Sequence, residues 1–199
     1  MAARSSDLQE FLDRLREAFA SANSQPPVSS VVAALYHAVE QPTMAGTPPP
    51  GALPVCGYLP TALGIARSSS RHLARLATAF EALEPRLAWI VRPSGGPFAS
   101  ANWQGGHANA TIIGPERGLE TRDDIVIGVS LLAPHVRYPD HRHPPEEVYL
   151  LLTPGRFQHG ESGWFEPGAG GTLHNEPNIK HAMASQDDPL LAIWCLLLK

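Results

Sequence analysis

The stretch Tyr138-Pro-Asp-His-Arg-His-Pro-Pro-Glu-Glu-Val-Tyr149 places two histidines, two glutamates and two phenols within twelve residues. In extended chain, side chains two apart share a face, so His141 and His143 point together while Arg142 points away. Pro144 and Pro145 lack the donors a ladder needs, so the strand should end there and the chain should turn. Re-entry at Glu147 puts Glu147, Tyr149 and Leu151 on one face and Val148, Leu150 and Leu152 on the other. Two imidazoles and a carboxylate thus converge. A turn in Glu176-Pro-Asn-Ile-Lys-His181 can bring a further imidazole to the same point from a later strand. Imidazole with carboxylate suits a borderline divalent transition metal such as zinc, iron or manganese; hard ions prefer oxygen alone and soft ones thiolate. The phenol of Tyr149, on the face of Glu147, should reach that metal or a substrate, or else lie as a core aromatic beneath the site. Tyr138 and His141 should line the pocket. His159, His174 and His107 lie outside the pattern, and ordinary structural roles are expected for the first two.

Working outward, the C-terminal half reads as β. His107 to Ile113, Asp124 to Leu132, Glu147 to Thr153, Arg156 to His159, Trp164 to Phe165, Thr172 to Asn175, His181 to Ser185 and Leu190 to Leu198 are short strand candidates separated by Gly, Pro, Asn and Asp. That spacing predicts an antiparallel barrel or jelly roll. Glu166-Pro-Gly-Ala-Gly-Gly171 reads as a hairpin connection; no Lys-Ser/Thr follows it, so it is a poor phosphate loop. Trp194 sits in the final apolar strand and is expected in the core, although an indole facing the barrel mouth would suit a cationic ligand.

The N-terminal half reads as helical. Leu8, Phe11, Leu12, Leu15 and Phe19 predict a helix over 7–21, with Ser6 and Gln9 as a capping box. Val28, Val31, Val32, Leu35 and Val39 predict a second, ending before Pro42. Five prolines in 42–54 exclude helix or central strand there. A short helix is expected over Tyr58 to Ile65, and a clearer one through Leu73, Leu76, Phe80 and Leu83 that stops at Glu84, before Pro85. Leu87, Trp89 and Val91 alternate as a strand closed by the Pro93–Pro97 turn. The helical stripes should cover an outer face of the barrel or meet a second subunit.

The residues resemble a family. His141-x-His143-x-x-x-Glu147, then a Gly-rich run, then His181, is similar to the two metal motifs of the cupin barrels. Gly155 falls one residue later than usual, and Asn178 stands where the second motif has Gly; Asn tolerates positive φ, so the turn survives. With Gly163-Trp-Phe-x-Pro-Gly-x-Gly-Gly-Thr-Leu173 and His181-Ala-Met183, the chain looks like the bacterial cupin-type, DddQ-like dimethylsulfoniopropionate lyases, strongly over 107–198 and loosely before. The resemblance implies a mainly β cupin barrel over 87–199 with a helical extension over 1–86 packed on it, in one domain overall. It implies a carbon–sulfur lyase cleaving dimethylsulfoniopropionate to dimethyl sulfide and acrylate by β-elimination. His143, Glu147, His181 and Tyr149 would hold the metal, with His141 a further ligand or a substrate-orienting group. Tyr149 would be the base, with Tyr138 as the alternative, and Tyr138, His141 and Trp194 would contact substrate. A ferrous-iron cupin dioxygenase and a non-catalytic ligand-binding cupin remain open at this point.

Composition narrows the partners. The 199 residues suit one well-buried domain, and 15 Lys and Arg against 19 Asp and Glu, net −4, leave no basic field for nucleic acid. A small-molecule substrate is expected, on a monomer or homodimer. Cys56 and Cys195 form neither a disulfide framework nor a thiolate site and read as apolar fillers. No h-region opens the chain, and Leu190 to Leu198 is too short to span a bilayer, so a cytoplasmic setting without membrane contact is expected.

Overall fold

Residues 4–22, 24–93 and 96–198 are described by the structure, a computed structural model; Ser94 and Gly95 of the expected Pro93–Pro97 turn lie outside the described residues, as do the chain ends of the 1–86 and 87–199 division. Four longer helices come first: α1 (Ser6–Ser21), α2 (Val28–Val39), α3 (Leu59–Ser69) and α4 (Arg71–Leu83). A short α5 (Trp103–Gly106) then leads into β2 (His107–Gly114). After it come β4 (Ile125–Leu132), β5 (Glu146–Leu151), β6 (Arg156–His159), β7 (Thr172–Asn175), β8 (His181–Ala184) and β9 (Leu190–Leu197). Two-residue strands β1 (Met44–Ala45) and β3 (Glu120–Thr121) complete the set. The large sheet runs β1-β3-β2-β4-β9-β5-β7 and faces a small one, β6-β8. This is the expected mainly β, cupin-type barrel with helices before it.

Alternation along the strands divides the interior in two. Val148, Leu150, Leu191, Ile193 and Cys195 join the helical apolar stripes, including Leu8, Phe11, Leu35 and Phe80, in one core. Tyr149, Leu151, Leu190 and Ala192 point the other way, toward Phe157 and Met183 of the small sheet. β4 is buried at all eight positions because both of its faces are covered, and it therefore reads as a continuous apolar run. The Tyr36 hydroxyl donates to the Leu12 carbonyl at 3.0 Å, which ties α2 to α1. The helical stripes thus cover an outer face of the large sheet within one chain.

Several expectations need correction. Tyr138 to His143 is not a regular strand; it is held by single bridges, Arg137 to Ala184 and His141 to His181, because Pro139, Pro144 and Pro145 supply no ladder donors. Ala88 and Ile90 likewise make only single bridges, and Phe165 only one, to Phe157. The capping box does not form: Ser5 is the N-cap, without a side-chain cap bond, while Gln9 reaches Asp13 and Arg4. By contrast, α4 ends at Leu83 with Glu84 as its C-cap, as expected, and a separate 3-10 turn over Glu84–Arg86 follows, where Pro85 sits at a position that needs no donor. The 166–171 turn is no hairpin. It carries the chain from β6 in one sheet to β7 in the other, so its residues encode a reversal but not a pairing. Cys195 is buried as expected, whereas Cys56 is half-buried.

Candidate metal and substrate site

Two backbone hydrogen bonds assemble the site. His141 and His181 exchange N–H and carbonyl bonds at 3.0 and 2.9 Å, which sets their rings 4.1 Å apart between centroids. Asn178, at φ 61°, makes the turn that delivers His181, and its amide donates to the His143 carbonyl at 2.8 Å. The ring nitrogens of His141, His143 and His181 consequently lie within 4.8 Å of one another. Glu147 Oε2 stands 3.4 Å from His143 Nε2 and 3.3 Å from His181 Nε2. Asn175, fully buried, holds that carboxylate from behind through a 2.9 Å Nδ2 donation.

The tautomers follow from the partners. Each Nδ1 meets a backbone carbonyl: Pro139 for His141 at 3.0 Å, Pro145 for His143 at 2.9 Å and Ile179 for His181 at 3.0 Å. A carbonyl only accepts, so each neutral ring carries its proton on Nδ1 and presents a bare Nε2 inward. Burial, with its neighbour His181, pulls His141 down to about 3, and burial lowers His181 as well. For His143 burial acts the same way, but the Glu147 carboxylate outweighs it and raises the value. His181 Nε2 is buried with no hydrogen-bond partner, because its approach to Glu147 lacks bonding geometry. Three inward lone pairs, one of them on the orphaned His181 Nε2, and one carboxylate make a donor set suited to a divalent cation.

A cavity of about 270 Å³ opens beside this cluster, lined by His141, His143, Glu147, Tyr138, Tyr149 and Trp194 among others. Tyr149 is buried, and burial together with the Glu147 carboxylate raises its phenol well above the ordinary value. Tyr138 accepts from Asn109 Nδ2 at 3.2 Å and stands 5.2 Å from the His141 ring. Trp194 pairs with Tyr149 across the strands, and its Nε1 donates to Ser130 Oγ at 3.0 Å. The indole lies flat on β4 because Gly128 leaves room; a Cβ there would fall 2.2 Å from the ring.

All seven site residues expected from the sequence, His141, His143, Glu147, His181, Tyr138, Tyr149 and Trp194, meet at this cavity or the cluster beside it. His159 and His174 lie outside the cluster, His159 at its border: His159 Nδ1 contacts the His174 carbonyl and Asn175 Oδ1, and His174 Nε2 lies 2.6 Å from Glu146. Arg92, Asn109, Ser130 and Asn175 were not anticipated. Only the alternation of the strands hints that Asn109 and Ser130 face inward.

A sequence profile of the dimethylsulfoniopropionate lyases matches residues 28–192. The chain belongs to the dimethylsulfoniopropionate lyase family. A curated relative from Cereibacter sphaeroides, the putative dimethylsulfoniopropionate lyase DddL, is 29% identical over 144 residues. That match covers 70% of this chain and 56% of the relative, so the chain spans little more than half its length. Among solved structures, a chain from the DMSP lyases RdDddP and RnDddQII superposes with TM-score 0.72 at 19% identity, covering 98% of this chain and 94% of that one. DddQ from Ruegeria pomeroyi DSS-3 superposes with TM-score 0.68 at 22% identity over 95% and 91%. These two likenesses bear on the fold, including the helices before the barrel. None of the described helices is long and apolar enough to cross a membrane.

Proposed function

We propose that this lyase-family chain is a divalent-metal-dependent carbon–sulfur lyase that cleaves dimethylsulfoniopropionate to dimethyl sulfide and acrylate. The observation that carries the reading is the convergence of three inward Nε2 atoms and Glu147 on one side of a small aromatic cavity. His141, His143, His181 and Glu147 would hold zinc, iron or manganese. When bound, such a cation supplies Lewis-acid stabilisation of charge developing on a substrate carboxylate.

The residues then divide the work. A base removes the proton α to the carboxylate, the electron pair forms the Cα–Cβ double bond, and the Cβ–S bond breaks with its pair leaving on sulfur. Dimethyl sulfide departs neutral, so no strong general acid is required. The indole face of Trp194 would receive the sulfonium by cation–π contact. Tyr149 is assigned as the base because its phenol shares the face of Glu147 and lines the cavity. Burial and, after it, the Glu147 carboxylate oppose a phenolate there, and a cation held by Glu147 would relieve the second of these. A specific contact keeps Tyr138 as the second candidate: Asn109 Nδ2 donates to its oxygen at 3.2 Å, which fixes the phenol at the wall of the same cavity. We also infer that 1–86 and 87–199 act as one folding unit, since helical and strand side chains share one core.

Headspace detection of dimethyl sulfide tests the function. Release should survive exclusion of air, stop after chelation and return with zinc, manganese or iron. Oxygen consumption in place of sulfide would favour a cupin dioxygenase. Substrate binding without turnover would leave a binding cupin.

A further inference from the structure

We propose that Arg92 selects for a carboxylate in this cavity, so that the site reads the anionic end of its ligand with a guanidinium and the opposite end with an aromatic wall. The proposal deepens the lyase reading, on which it rests only for the identity of the opposite end. Arg92 is the one Lys or Arg side chain among the described residues lining the cavity. Arg4, Arg122 and Arg137 are each committed to a carboxylate, at 2.6, 2.7 and 2.6 Å. The Arg92 guanidinium has no ion pair or side-chain hydrogen bond among the described residues, and its one contact of note is the face of Tyr138. A half-buried guanidinium with five donors and no acceptor suits a planar anion, which it could hold in a bidentate fork.

The backbone beneath it is fixed. The Arg92 amide donates to His107 Nε2 at 3.0 Å, while His107 Nδ1 meets the Trp103 carbonyl at 2.6 Å. That pair of bonds makes His107 a neutral ring with its proton on Nδ1, and the ring stacks on Trp103 at 4.2 Å and 8°. His107 is fully buried. The fully buried imidazole therefore serves as a clamp for the base of Arg92, which is a use the sequence left undecided. Tyr138 lies between Arg92 and His141, so the guanidinium flanks the imidazole cluster. Trp194, Met183 and Leu196 also line the cavity and offer no charge to an anion. A ligand with a carboxylate at one end and a soft, onium-bearing group at the other fits that polarity.

The test uses metal-replete full-length protein and two small probes that differ in charge, acrylate and acrylamide, titrated by ligand-observed NMR into wild type, Arg92→Gln and Arg92→Lys. Loss of a charge-assisted pair should cost acrylate about 10- to 100-fold in affinity in Arg92→Gln. Acrylamide binding should stay within about twofold on the same reasoning, and Arg92→Lys should recover part of the acrylate affinity as a point charge. For turnover, KM should rise with the acrylate constant while kcat moves little. Equal acrylate affinity in wild type and Arg92→Gln overturns the proposal. So does an equal loss for both probes, which would mark a general disturbance of the cavity. A wild type that releases no dimethyl sulfide would sink the lyase reading, and the contrast between the probes would still decide Arg92.

Discussion

The two faces of β5 are equally buried and chemically opposite. Val148 and Leu150 point beneath the helices into a core of aliphatic and aromatic side chains, and both are fully buried. Glu147 and Tyr149 point into the barrel, where Glu147 is 3% exposed and shares its surroundings with Asn175 and the unpartnered ring nitrogen of His181. Burying a carboxylate and imidazoles costs free energy unless they are paired, so the barrel side should add little to stability or subtract from it. The helix side supplies the apolar burial that holds this arrangement. One strand thus separates stability from chemistry with a period of two, and substitutions on its two faces should have different signatures.

The largest effect is expected on the barrel face. Tyr149→Phe keeps the ring that packs on Phe157, 5.6 Å away, but removes the phenol. Turnover should fall about 10²- to 10⁴-fold with the melting temperature nearly unchanged. Steady-state rates and a thermal melt on the same preparation check both halves. A near-normal Tyr149→Phe beside a dead Tyr138→Phe would move the base to Tyr138.

On the helix face the signature reverses. Leu150→Ala leaves a hole under the helices and should cost about 2–5 kcal/mol of stability. The surviving folded fraction should keep its bound metal, measured by denaturant unfolding and metal analysis. Metal loss at full stability would mean that the two faces are coupled.

A smaller effect, and a sign to check, lies at the edge where the helical part meets β3. Glu120 accepts from Arg4 at 2.6 Å and from Arg122 at 3.3 Å. Burial pushes its carboxyl up, but the hydrogen bond and charge of Arg4 outweigh that and hold it below its ordinary 4.5. A depressed carboxyl stabilises the fold above its unfolded value and loses that contribution as pH falls through the folded one. Glu120→Gln should therefore be less stable than wild type at neutral pH, by about 1.5–3 kcal/mol, with the gap closing below about pH 4. A gap that widens in acid would reverse the assignment.

How far the sequence carried this comparison depends on the kind of signal. The β5 alternation is written in the chain, because Glu147, Val148, Tyr149 and Leu150 differ in kind and the period is two. The His181 turn was legible through Asn178, whose positive φ the structure contains. Arg92 was not. It enters the cavity because Ile90 bridges Asn109 and the Arg92 amide bonds His107, contacts across 19 and 15 positions that no local pattern announces. Asn175 was hidden for the same reason: only the β5–β7 register sets it opposite Glu147. The strands β1 and β3 are two residues long, too short for periodicity to register. Ser6 and Gln9 showed the opposite failure, a local motif overridden when Asp13 and Arg4 took the glutamine.

The central claim is that His141, His143, Glu147 and His181 together hold one divalent metal, and elemental analysis of purified protein tests it most directly. Wild type, His159→Ala and His174→Ala should carry near-stoichiometric metal, because those two imidazoles bond to backbone, Asn175 and Glu146 instead of the cluster. His143→Ala, Glu147→Ala and His181→Ala should each be stripped, since every one removes a donor from the converging set. Full metal occupancy in His181→Ala would contradict the account.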